Sequence, residues 1–223
     1  MNEKKLTLGI LINTMNEGIE RVKEKLLPQL THVDEIIISH QITDERTPEK
    51  EKLGKKVKYV YMYDKGLCKN RNNLLKHATA DICHICDDDL HFVPGFEEDI
   101  LRVYERNHSD VVTFQAVDEL GKPHYYKKDG KHSVFSIGKI PIRGITFMRK
   151  SIINNNIWFD ENFGLGTKRD TGDEPIFLKN CRDKGLSLIH RNIPIVIHPS
   201  ESSGIVYRKS LIIARIKVFK RMY

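Results

Sequence analysis

Two kinds of apolar pattern alternate along the first half of the chain. "KLTLGILIN" (5–13), "VDEIIISH" (33–40), "KVKYVYMY" (56–63), "DICHICD" (81–87) and "DVVTFQAV" (110–117) are short apolar runs bounded by polar clusters, and they read as strands. Between them, "NEGIERVKEKLLPQL" (16–30), "GLCKNRNNLLKHA" (66–78) and "PGFEEDILRVYERN" (94–107) read as helices, the last opening with Pro94. Strand–helix alternation with connections this short predicts an α/β fold with a mostly parallel central sheet flanked by helices.

The second half has a different texture. "DELGKPHYYKKDGKHSV" (118–134) is polar and turn-rich, with a hairpin or excursion expected around "HYYKK". "RGITFMRKSIINNN" (143–156) reads as a strand entering a short helix, and "FDENFGLGTKRDTGDEPIFLKNCRDKG" (159–185) as a Gly-rich loop leading into another helix. Two short strands, "LSLIH" (186–190) and "IPIVIH" (193–198), follow. The last sixteen residues carry six Lys or Arg and no acid, and Ile212, Ile216, Phe219 and Tyr223 fall at helical spacing within them.

Composition narrows the function classes only slightly. The 223 residues are 39% hydrophobic and 30% charged, an ordinary globular balance. No apolar run reaches the roughly 18 residues that a membrane span needs. The opening apolar run lacks a small-residue cleavage site, so a first strand is expected there and not a signal peptide. Four cysteines without a secretory signal predict a reducing, cytoplasmic setting. A net charge of +7 and a pI near 9.1 permit nucleic acid, phosphorylated small molecules or an anionic membrane face as partners, and select none of them.

Candidate chemistry collects where the predicted strands end, the edge at which open α/β sheets bind ligands. Asn13, Thr14 and Asn16 follow the first strand, His40 and Gln41 the second, Asp64 the third, and Asp87, Asp88 and Asp89 the fourth. In an extended segment Asp87 and Asp89 share a face and Asp88 points the other way. Two hard oxygen donors on one face suit Mg²⁺ or Mn²⁺, and a solvated acidic turn before Pro94 is the plain alternative. Cys83 and Cys86 form a C-x-x-C inside a strand, where residues three apart face opposite sides, so neither a redox pair nor a zinc site is expected.

The stretch "GLCKNRNNLLKHATADICHICDDDLHFVPGFEEDIL" (66–101) resembles the nucleotide-sugar segment of family 2 glycosyltransferases. Gly66, Arg71 and Asn72 match that family's Gly-x-Ser-x-x-Arg-Asn helix start, with Cys68 in place of Ser. Asp87 and Asp89 fill its Asp-x-Asp positions, and Pro94, Glu97 and Glu98 keep the expected spacing. "ILINTMNE" (10–17), with Thr14 and Asn16, is similar to the family's first strand, and residues 159–185 to its acceptor-side motif. The stretch "SHQITDE" (39–45) departs from the usual acidic pair and Gly-Ser, which bears on how base and ribose are held.

The resemblance covers nearly residues 6 to 200 and implies a single domain of the GT-A fold. A Rossmann-like nucleotide half would run to about residue 117, an acceptor half from about 118 to 205, and a basic helix over 206–223. It implies transfer of a sugar from a nucleoside-diphosphate sugar to a hydroxyl on a saccharide or lipid-linked acceptor, with Mn²⁺ or Mg²⁺ as cofactor and inversion at the anomeric carbon as the stereochemical expectation. Thr14, Asn16, His40, Gly66, Lys69, Arg71, Asp87 and Asp88 would hold the donor, with Arg71 and Lys69 close to the phosphates or Arg71 in a structural ion pair. Asp89, Asp87 and His198 would bind the metal, His198 being otherwise only hydrogen-bonded. Glu174 would be the general base, with Asp173 as the alternative base or as a helix cap. Gly164 and Gly166 correspond to acceptor-loop glycines, and Ser202, Ser203 and Gly204 to a loop able to close over the nucleotide.

The expected setting is surface-polysaccharide assembly at the cytoplasmic face of a membrane, with the basic C-terminus touching anionic lipid or else docked on the sheet. A nucleotidyltransferase is the enzymatic rival, although "NTMNEG" is not a basic Gly-rich phosphate loop. A basic nucleic-acid-binding protein is the other rival. Clustered carboxylates repel phosphate and no such motif occurs, so no nucleic-acid partner is expected.

Overall fold

A computed structural model describes residues 5–49, 53–125, 128–138, 140–198 and 209–222. Its strands are β1 (Leu8–Met15), β2 (Glu35–Gln41), β3 (Val57–Met62), β4 (Ile82–Asp87), β5 (His91–Phe92), β6 (Val111–Val117), β7 (Gly130–Lys131), β8 (Ile145–Met148) and β9 (Leu188–Ile197). The helices are α1 (Gly18–Arg21), α2 (Leu67–His77), α3 (Phe96–Arg106), α4 (Val134–Ile137), α5 (Arg149–Asn154), α6 (Asp173–Asp183) and α7 (Lys209–Met222).

One nine-stranded mixed sheet runs in the order β3-β2-β1-β4-β8-β6-β9-β5, with β7 paired to β9. The four strands β3-β2-β1-β4 are parallel, as the strand–helix alternation predicts, and β6 and β9 are also parallel. β8 enters antiparallel between β4 and β6 and joins the two regions.

Period-two alternation splits the inner strands between two cores. Ile10, Ile12, Ile36, Ile38, Ile82 and Cys86 face one side with Ile19, Val22, Phe96 and Ile100. Leu11, Ile37, Cys83, Ile85 and Phe147 face the other with Leu74, Ile152, Phe177 and Met222. Cys83 and Cys86 are therefore on opposite faces, and all four cysteines are buried free thiols.

Several elements differ from the sequence expectation. The two short strands expected over 186–198 are one strand, β9. Pro194 lies where the pairing with β6 shifts register opposite Gln115, so the residue without an N–H sits at the ladder's irregularity. The first helix is α-helical only over Gly18–Arg21 and continues as a π-turn over Val22–Leu26 and a 3-10 turn over Leu27–Gln29. Pro28 has no N–H to give to Glu24, and the ladder rearranges beside it.

The C-terminal helix forms, but a different stripe docks. Ala214 and Met222 are buried and Val218 packs on the core, a spacing of four, whereas Ile213, Ile216 and Phe219 are 57%, 52% and 64% exposed. The Ile212 side chain, Tyr223 and the Ser202–Gly204 loop lie outside the described residues.

Candidate active site

Five segments meet around one cavity: the carboxyl ends of β1, β2 and β4, the start of α2 and the loop at Leu165 and Gly166. The α2 start accepts Gln41 as its anchor, since the Gly66 N–H donates to Gln41 Oε1 at 3.0 Å. Asn70 Nδ2 donates to the Thr14 carbonyl at 3.1 Å, and the Leu67 N–H to the Leu165 carbonyl at 3.0 Å. Gly166 has φ +87°, and a Cβ there would stand 3.2 Å from Gly66 Cα, so only glycine lets this loop close on α2. The result is a cavity of about 250 Å³ whose wall includes Asn13, Thr14, Gln41, Gly66, Asp87 and Asp88.

Each carboxylate of the Asp triplet has its own partner. Asp87 Oδ1 accepts from Asn13 Nδ2 at 2.8 Å and pairs with Arg71 at 3.2 Å. Asp88 turns toward α1, accepts from the Thr14 hydroxyl, and pairs with Arg21 at 2.7 Å; burial raises its pKa. Asp89 is half exposed, with Oδ2 3.5 Å from His198 Nε2. Repulsion between two unit charges about 4 Å apart costs on the order of 4 kcal/mol at an effective dielectric of 20, and these separate cationic or imidazole partners offset it.

Arg71 is a buried junction. Its side chain is 1% exposed, in contact with Asp173 through NH1, 3.2 Å from Asp87 and 3.6 Å from Glu174, and it lies over the Phe159 ring. The pairing expected as the structural alternative is thus the observed one, since the guanidinium is turned into protein carboxylates. Asp173 is buried on this contact at the first turn of α6, and its neighbour Glu174 keeps 23% of its side chain exposed. Burial and the Asp173 charge push the Glu174 carboxyl up to about 8.

Like Arg71, three further expected donor-binding residues are off the cavity wall. His40 is buried, with Nδ1 2.7 Å from the Tyr59 hydroxyl and Nε2 2.9 Å from the Asn16 carbonyl, so it braces the turn beneath Asn16. Asn16 itself has φ +48° and accepts the Thr43 N–H at 2.8 Å. Lys69 points outward to Asp64 at 3.3 Å. Trp158 bonds Asn156 Oδ1 at 2.6 Å and packs on the core.

Arg21, Asn70, His124 and Arg143 join this region without any sequence signal having singled them out. Arg143 donates toward His124 Nδ1 at 3.3 Å, and His124 Nε2 reaches the His198 carbonyl at 3.0 Å.

A divalent cation is the implied cofactor. Among the described residues, no group of three or more His, Cys, Asp or Glu side chains gathers to hold a metal ion. Asp89 and His198 face each other, however, and Asp87 ends β4 two residues before Asp89. A hard carboxylate oxygen and an imidazole fit two positions around Mn²⁺ or Mg²⁺, with substrate oxygens and water suited to the rest.

The family model described as glycosyl transferase family 2 matches residues 10–172. Among solved structures, S. aureus TarS 1-349 in complex with UDP-GlcNAc superposes with a TM-score of 0.68 at 14% identity, covering 97% of this chain and 66% of that one. TarS 1-349 in complex with UDP gives 0.67 at 13% identity, covering 97% and 64%. S. aureus TarS itself gives 0.65 at 14% identity, covering 96% and 39%. This chain therefore spans less than two thirds of TarS 1-349, 66% of it in the UDP-GlcNAc complex and 64% in the UDP complex. No curated protein matches it in sequence. Identities this low speak to the fold, and the fold agrees.

Proposed function

The chain belongs to glycosyl transferase family 2 and has the GT-A fold, and on that premise we propose that it transfers a sugar from a nucleoside-diphosphate sugar to a hydroxyl acceptor, with metal dependence and inversion at the anomeric carbon. The observation that carries the reading is the single junction at Arg71, which draws Asp87 of the nucleotide side and Glu174 of the acceptor side to one point.

In this reading the cavity beside Asn13, Thr14 and Gln41 takes the nucleoside, and residues up to about 117 form the donor half. Asp89 and His198, with Asp87, hold the divalent cation, which when bound supplies positive charge to the diphosphate oxygens. Glu174 is the general base: it is partly exposed, whereas Asp173 is turned inward on Arg71 and serves to position it. A base that takes the acceptor proton on the face opposite the leaving diphosphate produces inversion. Residues from about 118 to 205 form the acceptor half.

The acceptor is a saccharide or a lipid-linked saccharide of surface-polysaccharide assembly, met at the cytoplasmic face of a membrane. What supports this is the outer face of α7, where exposed Ile213, Ile216 and Phe219 accompany Arg215, Lys217, Lys220 and Arg221. No described helix is long and apolar enough to cross a membrane.

Two of the TarS structures contain UDP or UDP-GlcNAc, which makes UDP the first nucleotide to test. Thermal-shift titration with nucleoside diphosphates should show stabilisation that requires Mn²⁺, and Asp89→Ala should abolish that Mn²⁺-dependent stabilisation. Failure of every nucleoside diphosphate to bind, with or without Mn²⁺, would overturn the reading.

A further inference from the structure

Arg143 is the middle residue of a 3-10 turn, Ile142–Gly144, that opens β8. β8 runs antiparallel to β4, with His84 opposite Thr146 and Cys83 opposite Phe147. The turn itself packs against β4 and β6, on the opposite side of β4 from β1, and Asp87 and Asp89 are near enough to act on the Arg143 charge. The turn is pressed against β6: a Cβ on Gly144 would lie 2.5 Å from the Phe114 carbonyl oxygen. The backbone that carries Arg143 is therefore fixed next to the Asp triplet.

The guanidinium is held but not neutralised. Its Nε is buried without a hydrogen-bond partner, and one NH group donates to His124 Nδ1 at 3.3 Å. A donor at Nδ1 leaves the proton of neutral His124 on Nε2, which then donates to the His198 carbonyl at 3.0 Å. Arg143 is thus tied through His124 to the residue that faces Asp89. Asp87, Asp89 and Glu174 all act on its charge, yet among the described residues none of them forms an ion pair with it.

The other two arginines near the triplet are committed, Arg21 to Asp88 and Arg71 to Asp173, Asp87 and Glu174. A partly buried guanidinium with an orphan N–H is costly unless something anionic completes it. Its planar fork matches two phosphate oxygens, which a lysine does not.

We propose that Arg143 binds the diphosphate oxygens of the donor, the place expected from sequence for Arg71 and Lys69. The proposal rests on the nucleotide-sugar reading above and deepens it by assigning the protein's own cation for the leaving group.

The test is calorimetric titration of UDP, GDP, CDP and ADP, each with Mn²⁺, into the wild-type chain and into Arg143→Met and Arg143→Lys. The diphosphate that binds wild type should bind Arg143→Met at least tenfold more weakly. Arg143→Lys should be intermediate, and the matching nucleoside monophosphate should lose less than the diphosphate in both. Should Arg143→Met fail to fold, a threefold or greater loss in Arg143→Lys at unchanged melting temperature carries the same conclusion. Wild-type diphosphate affinity in a folded Arg143→Met or Arg143→Lys overturns the role of Arg143 and leaves the proposed function standing. Absence of binding by any of the four diphosphates to wild type overturns both.

Discussion

Glu174 is the side chain whose protonation decides whether the proposed base works at neutral pH. Burial and the adjacent Asp173 favour its protonated form, so the carboxylate able to accept a proton accumulates only as pH rises through about 8. The rate should therefore climb from pH 6 to 9, with an acid limb far above the ordinary carboxylate range. Asp173→Asn removes a neighbouring negative charge and frees Arg71 to act on Glu174, and both effects lower that pKa. The limb of the pH–rate profile in Asp173→Asn should move to lower pH; a limb that stays or moves up would remove Glu174 as the base. Residues such as these were unevenly legible in the sequence. That Asp87 closes the fourth strand was readable because an apolar run ending in carboxylates is a local signal, whereas strand alternation does not reach Asp88 and Asp89, which lie in the turn after it. The partner of Arg71 was not, since Asp173 is 102 residues away and no short pattern encodes that contact. The contact of His40 was illegible for a related reason: position after a strand reveals the edge of the sheet but not that Tyr59, on the next strand, meets the ring.

Among elements, α7 and the loop before α6 depend on each other. Gly172 has φ +92° and receives Val218 of α7 where a Cβ would stand. Gly172→Ala combines a left-handed backbone with overpacking and should cost about 1–3 kcal/mol. Denaturant unfolding should show that loss, and limited proteolysis should cut α7 faster than in wild type. A variant as stable and as resistant as wild type would show that α7 docks by other contacts. Helical periodicity was enough to predict this helix, but not its orientation. Three adjacent stripes of "RKSLIIARIKVFKRMY" are apolar enough to dock, and the choice of Ala214, Val218 and Met222 is made by the shape of the groove beside Gly172. The parallel strands β1, β2 and β4 were legible because burial on both faces leaves short apolar runs, of Leu and Ile in β1 and β2 and of Ile and Cys around His84 in β4. β5, β7 and α4 were not, being two to four residues long and formed only because longer neighbours pair or pack with them.

For the whole molecule, the outer face of α7 gives the chain a basic and apolar side. Co-sedimentation with mixed phosphatidylglycerol–phosphatidylcholine vesicles should retain the wild-type chain, fall with added salt, and be lost in Ile216→Glu/Phe219→Glu. Equal retention on pure phosphatidylcholine would exclude the electrostatic part of that contact. The order of the sheet also has a consequence for synthesis. A nascent chain that has emerged through residue 117 contains β1 to β4 and α2, yet β8, which covers the β4 edge, is still to come. Arg71 then lacks Asp173, so a cation destined for the interior waits in water for a carboxylate made much later. High sequence separation of this kind slows folding, because the entropy of closing the intervening loop is lost before the contact can form. The two halves are thus not independent folding units: a ribosome must pass residue 173 before the active site can begin to close, and a copy truncated earlier carries an open strand edge and no finished centre.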